Sequence, residues 1–169
     1  MTARKIMLLG EIGVGKSSIT QRLVFNRFET DYKPTLGADV YTYEIETPTD
    51  ADPAATTKFI IWDTDGNFGE SVLSYIYIKE AAAALIVGDI GRRTTLMRML
   101  ELGNSFMEAM PGRYCSFLIN KSDLENAATE LPQDLIKSPI PILRTSAKTG
   151  ENVKNAFLRA ADAIRRRGL

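Results

Sequence analysis

Apolar runs and helix-period segments alternate along this chain from end to end, which predicts a parallel sheet covered by helices. Ile6-Met7-Leu8-Leu9 marks a first strand over 5–9, and a helical pattern follows over 16–25. After a polar, non-periodic stretch over 26–36, two strands are expected at 38–46 and 58–62. The connection between them, Thr47-Pro48-Thr49-Asp50-Ala51-Asp52-Pro53, is turn-rich and too short for a crossover helix, so the two strands pair as an antiparallel hairpin. An irregular segment over 63–69 leads to a modest helix over 71–79. The apolar run Ala81 to Val87 reads as a buried strand with a helical lead-in, the central strand itself falling at 85–88. A long helix over 94–110 and a buried strand over 117–120 come next. Ser138-Pro139-Ile140-Pro141 breaks any helix, so the one before it, 132–136, is short. The last strand falls at 142–144 and the final helix at 153–167. The whole reads as one α/β unit over residues 1–169. It has three layers: a six-stranded, mostly parallel sheet with one antiparallel edge hairpin, and about five helices on its two faces.

Charge and cysteine use narrow the classes. Lys plus Arg and Asp plus Glu stand at 21 each, so no global charge favours nucleic acid or a membrane surface. The lone cysteine, Cys115, lies in an apolar run; it rules out an internal disulfide framework and suits a reducing compartment. Without histidine, Ser-His and Cys-His catalysis and histidine metal sites are excluded. The N-terminus has no signal h-region, and no run approaches the roughly 20 apolar residues of a membrane span. Arg165-Arg166-Arg167-Gly168-Leu169 offers no cysteine to prenylate, and Thr2 stands where myristoylation needs glycine. The three arginines complement the negative end of the last helix or form a weak membrane-surface patch. A soluble, cytoplasmic, monomeric chain without a lipid anchor is expected.

The candidate chemistry begins after the first strand. Gly10-Glu11-Ile12-Gly13-Val14-Gly15-Lys16-Ser17 is a G-x-x-x-x-G-K-S sequence in a strand–turn–helix setting, the context in which it cradles phosphate. Its glycines let successive amides curl inward as an anion nest, and the following helix adds the positive end of its dipole. Lys16 can reach β and γ phosphates, and the Ser17 hydroxyl can ligate Mg²⁺. A second signal, Asp63-Thr64-Asp65-Gly66, follows the strand Phe59-Ile60-Ile61-Trp62. There Asp63 can hold Mg²⁺ through water, and the Gly66 amide can meet a γ phosphate, although D-x-x-G alone is equally a surface turn. A third, Asn120-Lys121-Ser122-Asp123, follows Phe117-Leu118-Ile119. The Asp123 carboxylate can accept two parallel hydrogen bonds from guanine N1–H and its exocyclic amine, a pair adenine lacks. Asn120 can touch the base edge or brace the phosphate loop, and the Lys121 stem can lie over the ring; a polar turn would use the same residue types. Thr145-Ser146-Ala147-Lys148, after the last strand, can present a backbone amide to guanine O6. The polar stretch carrying Phe28, Tyr32, Pro34 and Thr35 can supply a hydroxyl to Mg²⁺ and an aromatic edge to the base.

In order, spacing and context, these segments resemble the Ras superfamily of small GTPases over essentially the full length. Pro34-Thr35-Leu36-Gly37-Ala38-Asp39, Ile61-Trp62-Asp63-Thr64 and Tyr75-Ile76-Tyr77 are similar to the Rab branch in particular. The resemblance implies a P-loop NTPase fold, GTP and GDP as ligands, Mg²⁺ as cofactor, and two switch loops that recruit effector proteins under exchange factors and GTPase-activating proteins. By motif, Gly13, Val14, Gly15, Lys16, Ser17 and Ser18 would hold phosphate. Ser17, Thr35 and Asp63 would hold the metal, and Gly66 the γ phosphate. Phe28, Asn120, Lys121, Asp123, Ser146, Ala147 and Lys148 would hold the base. Lys16, Thr35, Gly66 and Asn67 are the candidates for catalysis.

The departures fall where hydrolysis is done. The family pattern D-T-A-G-Q-E here reads Asp63-Thr64-Asp65-Gly66-Asn67-Phe68. The water-orienting Gln becomes Asn67, one methylene shorter; a retreat of roughly 1 Å can cost about a hundredfold in rate. Asp65 adds negative charge near a γ phosphate that is gaining charge. Ile12 stands where the family has Gly or another small residue. There it would crowd the water-orienting group and any arginine finger, worth about 10³- to 10⁵-fold where it operates. Slow hydrolysis and a long-lived GTP state are expected; alternatively another residue places the water. A non-hydrolysing scaffold with nucleotide bound for structure is a second function class. An ATP-dependent P-loop enzyme is a third, against which Asp123 argues. Val72, Leu73 and Ile76 of the second-switch helix are candidate partner contacts or core residues.

Overall fold

The structure, a computed structural model, describes residues 3–67, 77–126 and 129–169. In it six strands form one sheet: β1 (Arg4–Leu9), β2 (Ala38–Glu46), β3 (Thr56–Thr64), β4 (Ala83–Asp89), β5 (Tyr114–Asn120) and β6 (Ile142–Arg144). Their spatial order is β2-β3-β1-β4-β5-β6. The β2–β3 pair is antiparallel, with Ala38 opposite Thr64 and Glu46 opposite Thr56; every other pair is parallel. This agrees with the expected three-layer architecture. The helices are α1 (Lys16–Phe25), α2 (Arg93–Ala109), α3 (Gln133–Lys137) and α4 (Val153–Arg166), so four α-helices stand among the described residues against the five expected. The fifth, over 71–79, lies outside the described residues up to 76, as do Val72, Leu73 and Ile76.

Strand alternation sorts the apolar side chains to two faces. Ile6 and Leu8 of β1 join Phe59, Ile61, Leu85 and Val87 under α1 and α4, where Ile19, Phe157 and Ile164 close the layer. Met7 and Leu9 point the other way, to Ile86, Phe117 and Ile119 under α2 and α3, against Leu96, Met99, Phe106 and Leu135. Because both faces are covered, β4 and β5 are buried along their whole lengths, with unbroken apolar cores at 83–87 and 117–119. Phe59 and Phe157 meet across the sheet–helix interface at 6.2 Å between ring centroids. Among the described residues no helix is long and apolar enough to cross a membrane.

Parallel strands deliver their carboxyl ends to one rim. There β1 runs into the turn at 10–15, β3 into Asp65 and Gly66, β5 into Lys121, and β6 into Thr145 to Lys148. In open α/β sheets that rim is where ligands bind.

Candidate functional site

The turn after β1 is shaped by close approach. A Cβ on Gly10 would lie 2.3 Å from the Val87 carbonyl, and one on Gly15 would lie 2.3 Å from Asn120 Nδ2. Gly15, with φ +101°, is also the N-cap of α1, and no side chain caps that helix or places an acid in its first turn. The leading amides are therefore open to an anion. Lys16, 6% exposed, folds back over the turn, its Nζ donating to the carbonyls of Gly10 at 2.8 Å and Glu11 at 3.0 Å. Burial lowers its pKa to about 8 against the opposing pull of Asp63, Asp65 and Glu11. An anion in the turn offers the ammonium a charged partner in place of two neutral carbonyls.

Three hydroxyl and carboxylate groups far apart in sequence meet beside this turn. Ser17 Oγ donates to Asp63 Oδ2 at 2.5 Å and lies 2.8 Å from Thr35 Oγ1. Asp63 is fully buried, and its Oδ1 has no hydrogen-bond partner. Burial pushes its pKa up to about 6, opposed by the Ser17 hydrogen bond and by Lys16. A buried carboxylate oxygen left unpaired is costly and calls for a cation or donor. One carboxylate and two hydroxyls form a hard, incomplete oxygen set, which fits Mg²⁺ completing its shell with phosphate and water. Among the described residues no three His, Cys, Asp or Glu side chains gather as an all-protein metal cage.

At the far end Asn120, 1% exposed, braces the turn through Nδ2 to the Val14 carbonyl at 3.0 Å. Its Oδ1 accepts from the Thr145 hydroxyl and the Ala147 amide, both at 3.2 Å. Lys121 Nζ donates to the Gly13 carbonyl at 2.9 Å and pairs with Asp89 at 2.7 Å. Asp123 Oδ1 accepts from the Ser146 hydroxyl at 2.6 Å, which leaves Oδ2 for a ligand.

Between the two ends lies a cleft of about 550 Å³, lined by Gly13, Gly15, Lys16, Ser17, Ser18, Phe28, Thr35, Gly66, Asn67, Asn120, Lys121, Asp123, Ala147 and Lys148. Three other residues singled out in the sequence stand behind this wall. The Val14 side chain is buried in the core, Asp63 lies beneath Ser17, and Ser146 lies behind Asp123. Asp65 also lines the cleft, but its carboxylate oxygens accept from the amides of Gly37 at 3.2 Å and Asn67 at 3.1 Å. Ile12, 47% exposed, stacks on Gly66 so closely that a Cβ there would lie 2.2 Å from Ile12 Cγ1 and 2.3 Å from its amide nitrogen.

Asp89, Arg92 and Arg22 were not singled out by the sequence. Asp89 ends a buried strand as Asp63 does, and that signal could have found it. Arg92 donates to the Ile12 carbonyl at 2.9 Å from the start of α2. Arg22, in the last turn of α1, reads in sequence as a cation complementing the helix dipole, yet it reaches Ala147 and Lys148.

A phosphate-type turn between β1 and α1, on a sheet of this order with its site at the carboxyl rim, defines a P-loop nucleotide-binding fold. A model of the Ras family matches residues 5–166. The Ras-related protein RABF2b of Arabidopsis thaliana is 32% identical over 167 residues, covering 96% of this chain and 81% of its own length. The GTP-binding protein YPT53 of Saccharomyces cerevisiae is 33% identical over 164 residues, 90% of this chain and 72% of its own. Ras-related protein Rab-22A of Homo sapiens is 30% identical over 165 residues, 95% of this chain and 82% of its own. This chain belongs to the Ras family of small GTPases.

Proposed function

We propose that this chain is a guanine-nucleotide switch in the cytoplasm, a single G domain that binds GTP and GDP with Mg²⁺ and hydrolyses GTP slowly. The observation that carries the reading is the unpaired, buried Asp63 Oδ1 beside the Ser17 and Thr35 hydroxyls at the mouth of the turn. Mg²⁺ bound there supplies charge neutralisation at the β and γ phosphates. The turn amides and Lys16 receive the phosphates, and Phe28, Lys121 and Asp123 hold the base. Thr35 and the Gly66 amide engage the γ phosphate, which draws both loops into a surface for effector proteins; loss of that phosphate releases them. Exchange factors and GTPase-activating proteins are the partners such a cycle requires.

Slow hydrolysis is supported by three features. Asn67 carries a shorter amide than the family's glutamine. Ile12 packs over Gly66, where an attacking water and an arginine finger have to fit. Asp65 keeps a carboxylate on the cleft wall beside Gly66, negative charge where the γ phosphate gains charge. Single-turnover hydrolysis of preloaded GTP with Mg²⁺ tests the reading. The native chain should be nearly inert, and Asn67→Gln with Ile12→Gly should raise the rate by about a hundredfold. A native rate equal to that of the double variant would overturn it.

A further inference from the structure

Arg22 stands on the helix whose N-terminus faces the phosphate end, yet its guanidinium works at the base end. Nε donates to the Ala147 carbonyl at 2.8 Å and Nη2 to the Lys148 carbonyl at 2.6 Å. The third nitrogen, Nη1, donates to Asn26 Oδ1 at 3.1 Å. The stem lies over Gly150, where a Cβ would come within 3.7 Å of Arg22 Cδ. One planar fork thus grips two consecutive peptide units, a geometry that an ammonium cannot copy.

In a trans peptide the N–H points opposite to the C=O, so holding each carbonyl also aims the amide on the other side. The described residues contain no cis peptide bond. The carbonyl of Lys148 belongs to the same unit as the Thr149 amide, which donates to Ser146 Oγ at 3.1 Å. Ser146 Oγ in turn gives its own proton to Asp123 Oδ1 at 2.6 Å. The carbonyl of Ala147 belongs to the same unit as the Lys148 amide. That amide is aimed away from Arg22 and, among the described residues, donates to no protein group. The neighbouring Ala147 amide is engaged by Asn120 Oδ1. At the base end, Lys148 therefore supplies an open backbone donor on the cleft wall.

We propose that Arg22 is a positioning residue for base selectivity. By clamping the Ala147 and Lys148 carbonyls, it aims the Lys148 amide at the O6 acceptor of guanine and, through Thr149 and Ser146, orients the Asp123 carboxylate toward the N1–H and 2-amino donors. The inference rests on the guanine-nucleotide reading and adds the residue that pre-organises both halves of the recognition. A site built to pair a particular donor and acceptor rejects a base lacking them, and loses that rejection when the pair is loosened.

Displacement of a fluorescent GDP from the full chain by GDP, IDP, 6-thio-GDP and ADP, with Mg²⁺, tests it. IDP lacks the 2-amino donor, and 6-thio-GDP carries a poorer acceptor at position 6. The native chain should prefer GDP over all three. Arg22→Ala should weaken GDP about tenfold, the scale of one well-aimed hydrogen bond, and weaken IDP and 6-thio-GDP less, so both preference ratios shrink toward one. Arg22→Lys keeps the charge and the stem on Gly150 but loses the fork. Its ratios should also shrink, and it reports the same comparison if the alanine variant does not fold. Equal weakening of all the guanine analogues, or none, would make Arg22 a brace only and overturn the inference while leaving the nucleotide reading intact. A native chain with no preference for GDP over ADP would overturn both.

Discussion

Asp65 and Gly37 hold each other twice: the Asp65 amide donates to the Gly37 carbonyl at 2.8 Å, and the Gly37 amide donates to the Asp65 carboxylate at 3.2 Å. The pair ties the segment carrying Thr35 to the one carrying Gly66 and extends the β2–β3 ladder by one rung beyond Ala38 and Thr64. Asp65→Ala keeps the backbone bond and removes the other. It should cost about 1 kcal/mol, as a lost hydrogen bond to a charged group at a partly exposed site does. Amide exchange over residues 30–37 should accelerate severalfold while exchange in β1 is unchanged. Unchanged protection over 30–37 would show that the carboxylate holds nothing.

Asp63 gives a prediction whose sign depends on the metal. Its unpaired buried oxygen makes the charged side chain a burden when no cation is present. Asp63→Asn keeps an oxygen for the Ser17 hydroxyl and removes the charge. Without Mg²⁺ and nucleotide its Tm should rise by a few degrees, about 1 kcal/mol in a domain of this size. With Mg²⁺ and GDP the order should reverse, because the native chain gains a ligand-linked stabilisation that the variant forfeits. Melting curves with and without EDTA read both signs, and a variant less stable in both would contradict the site.

Gly66 cannot accept a side chain where it stands. Ile12 presents its amide nitrogen at 2.3 Å and its Cα at 2.7 Å to a Cβ there, so trimming the Ile12 side chain leaves the clash in place. Gly66→Ala should push the two turns apart and weaken triphosphate binding more than diphosphate binding, by about tenfold or more. Adding Ile12→Gly should not restore it. Rescue by the double variant, measured by nucleotide competition, would place the conflict in the Ile12 side chain alone.

Cys115 is 4% exposed, and burial in an apolar layer pushes its thiol up to about 12. At pH 8 it should resist a disulfide exchange reagent until the chain unfolds, because both access and thiolate are lacking. The sign of its linkage follows: the folded pKa exceeds the unfolded one. The thiol therefore costs no stability below about 9 and costs progressively more as pH rises toward about 12. Urea midpoints at pH 8 and pH 10, for the native chain and Cys115→Ser, isolate this contribution: the native chain should lose stability relative to the variant at pH 10, and a gain relative to the variant would reverse the sign.

Where local pattern and burial coincide, element boundaries were legible. The expected limits of α1, β2 and β6 match the structure, and β1 differs by a single residue. β3 runs from Thr56 to Thr64 instead of 58–62 because antiparallel pairing with β2 carries the polar ends along: Thr56 faces Glu46 and Asp63 faces Asp39. β5 begins at Tyr114 because parallel pairing with β4 engages Cys115 and Ser116, which lack a strand signature of their own. The turns at 10–15, 63–66 and 120–123 could be placed for the same local reason, since each directly follows an apolar run, whereas Phe28 and Thr35 reach the cleft from the long polar stretch after α1. What escaped were contacts across the chain. Arg22 reaches a carbonyl 125 positions away, Lys121 an aspartate 32 positions back, and Gly37 a carboxylate 28 positions on. Asp65 in particular looked like a stray charge in the sequence, and only its hydrogen bonds show it to be a tie between two segments.

The parallel order of the strands also divides the molecule into a chemical rim and an idle one. The hairpin turn around Asp50 and Asp52 closes on itself through the Thr49–Asp52 hydrogen bonds, and it lies at the opposite end of β3 from Asp63. A peptide tag or a fluorophore grafted between those aspartates would sit the length of β3 away from Asp65 and Gly66. The fold thus offers a handle by which nucleotide exchange can be followed without touching the machinery that performs it.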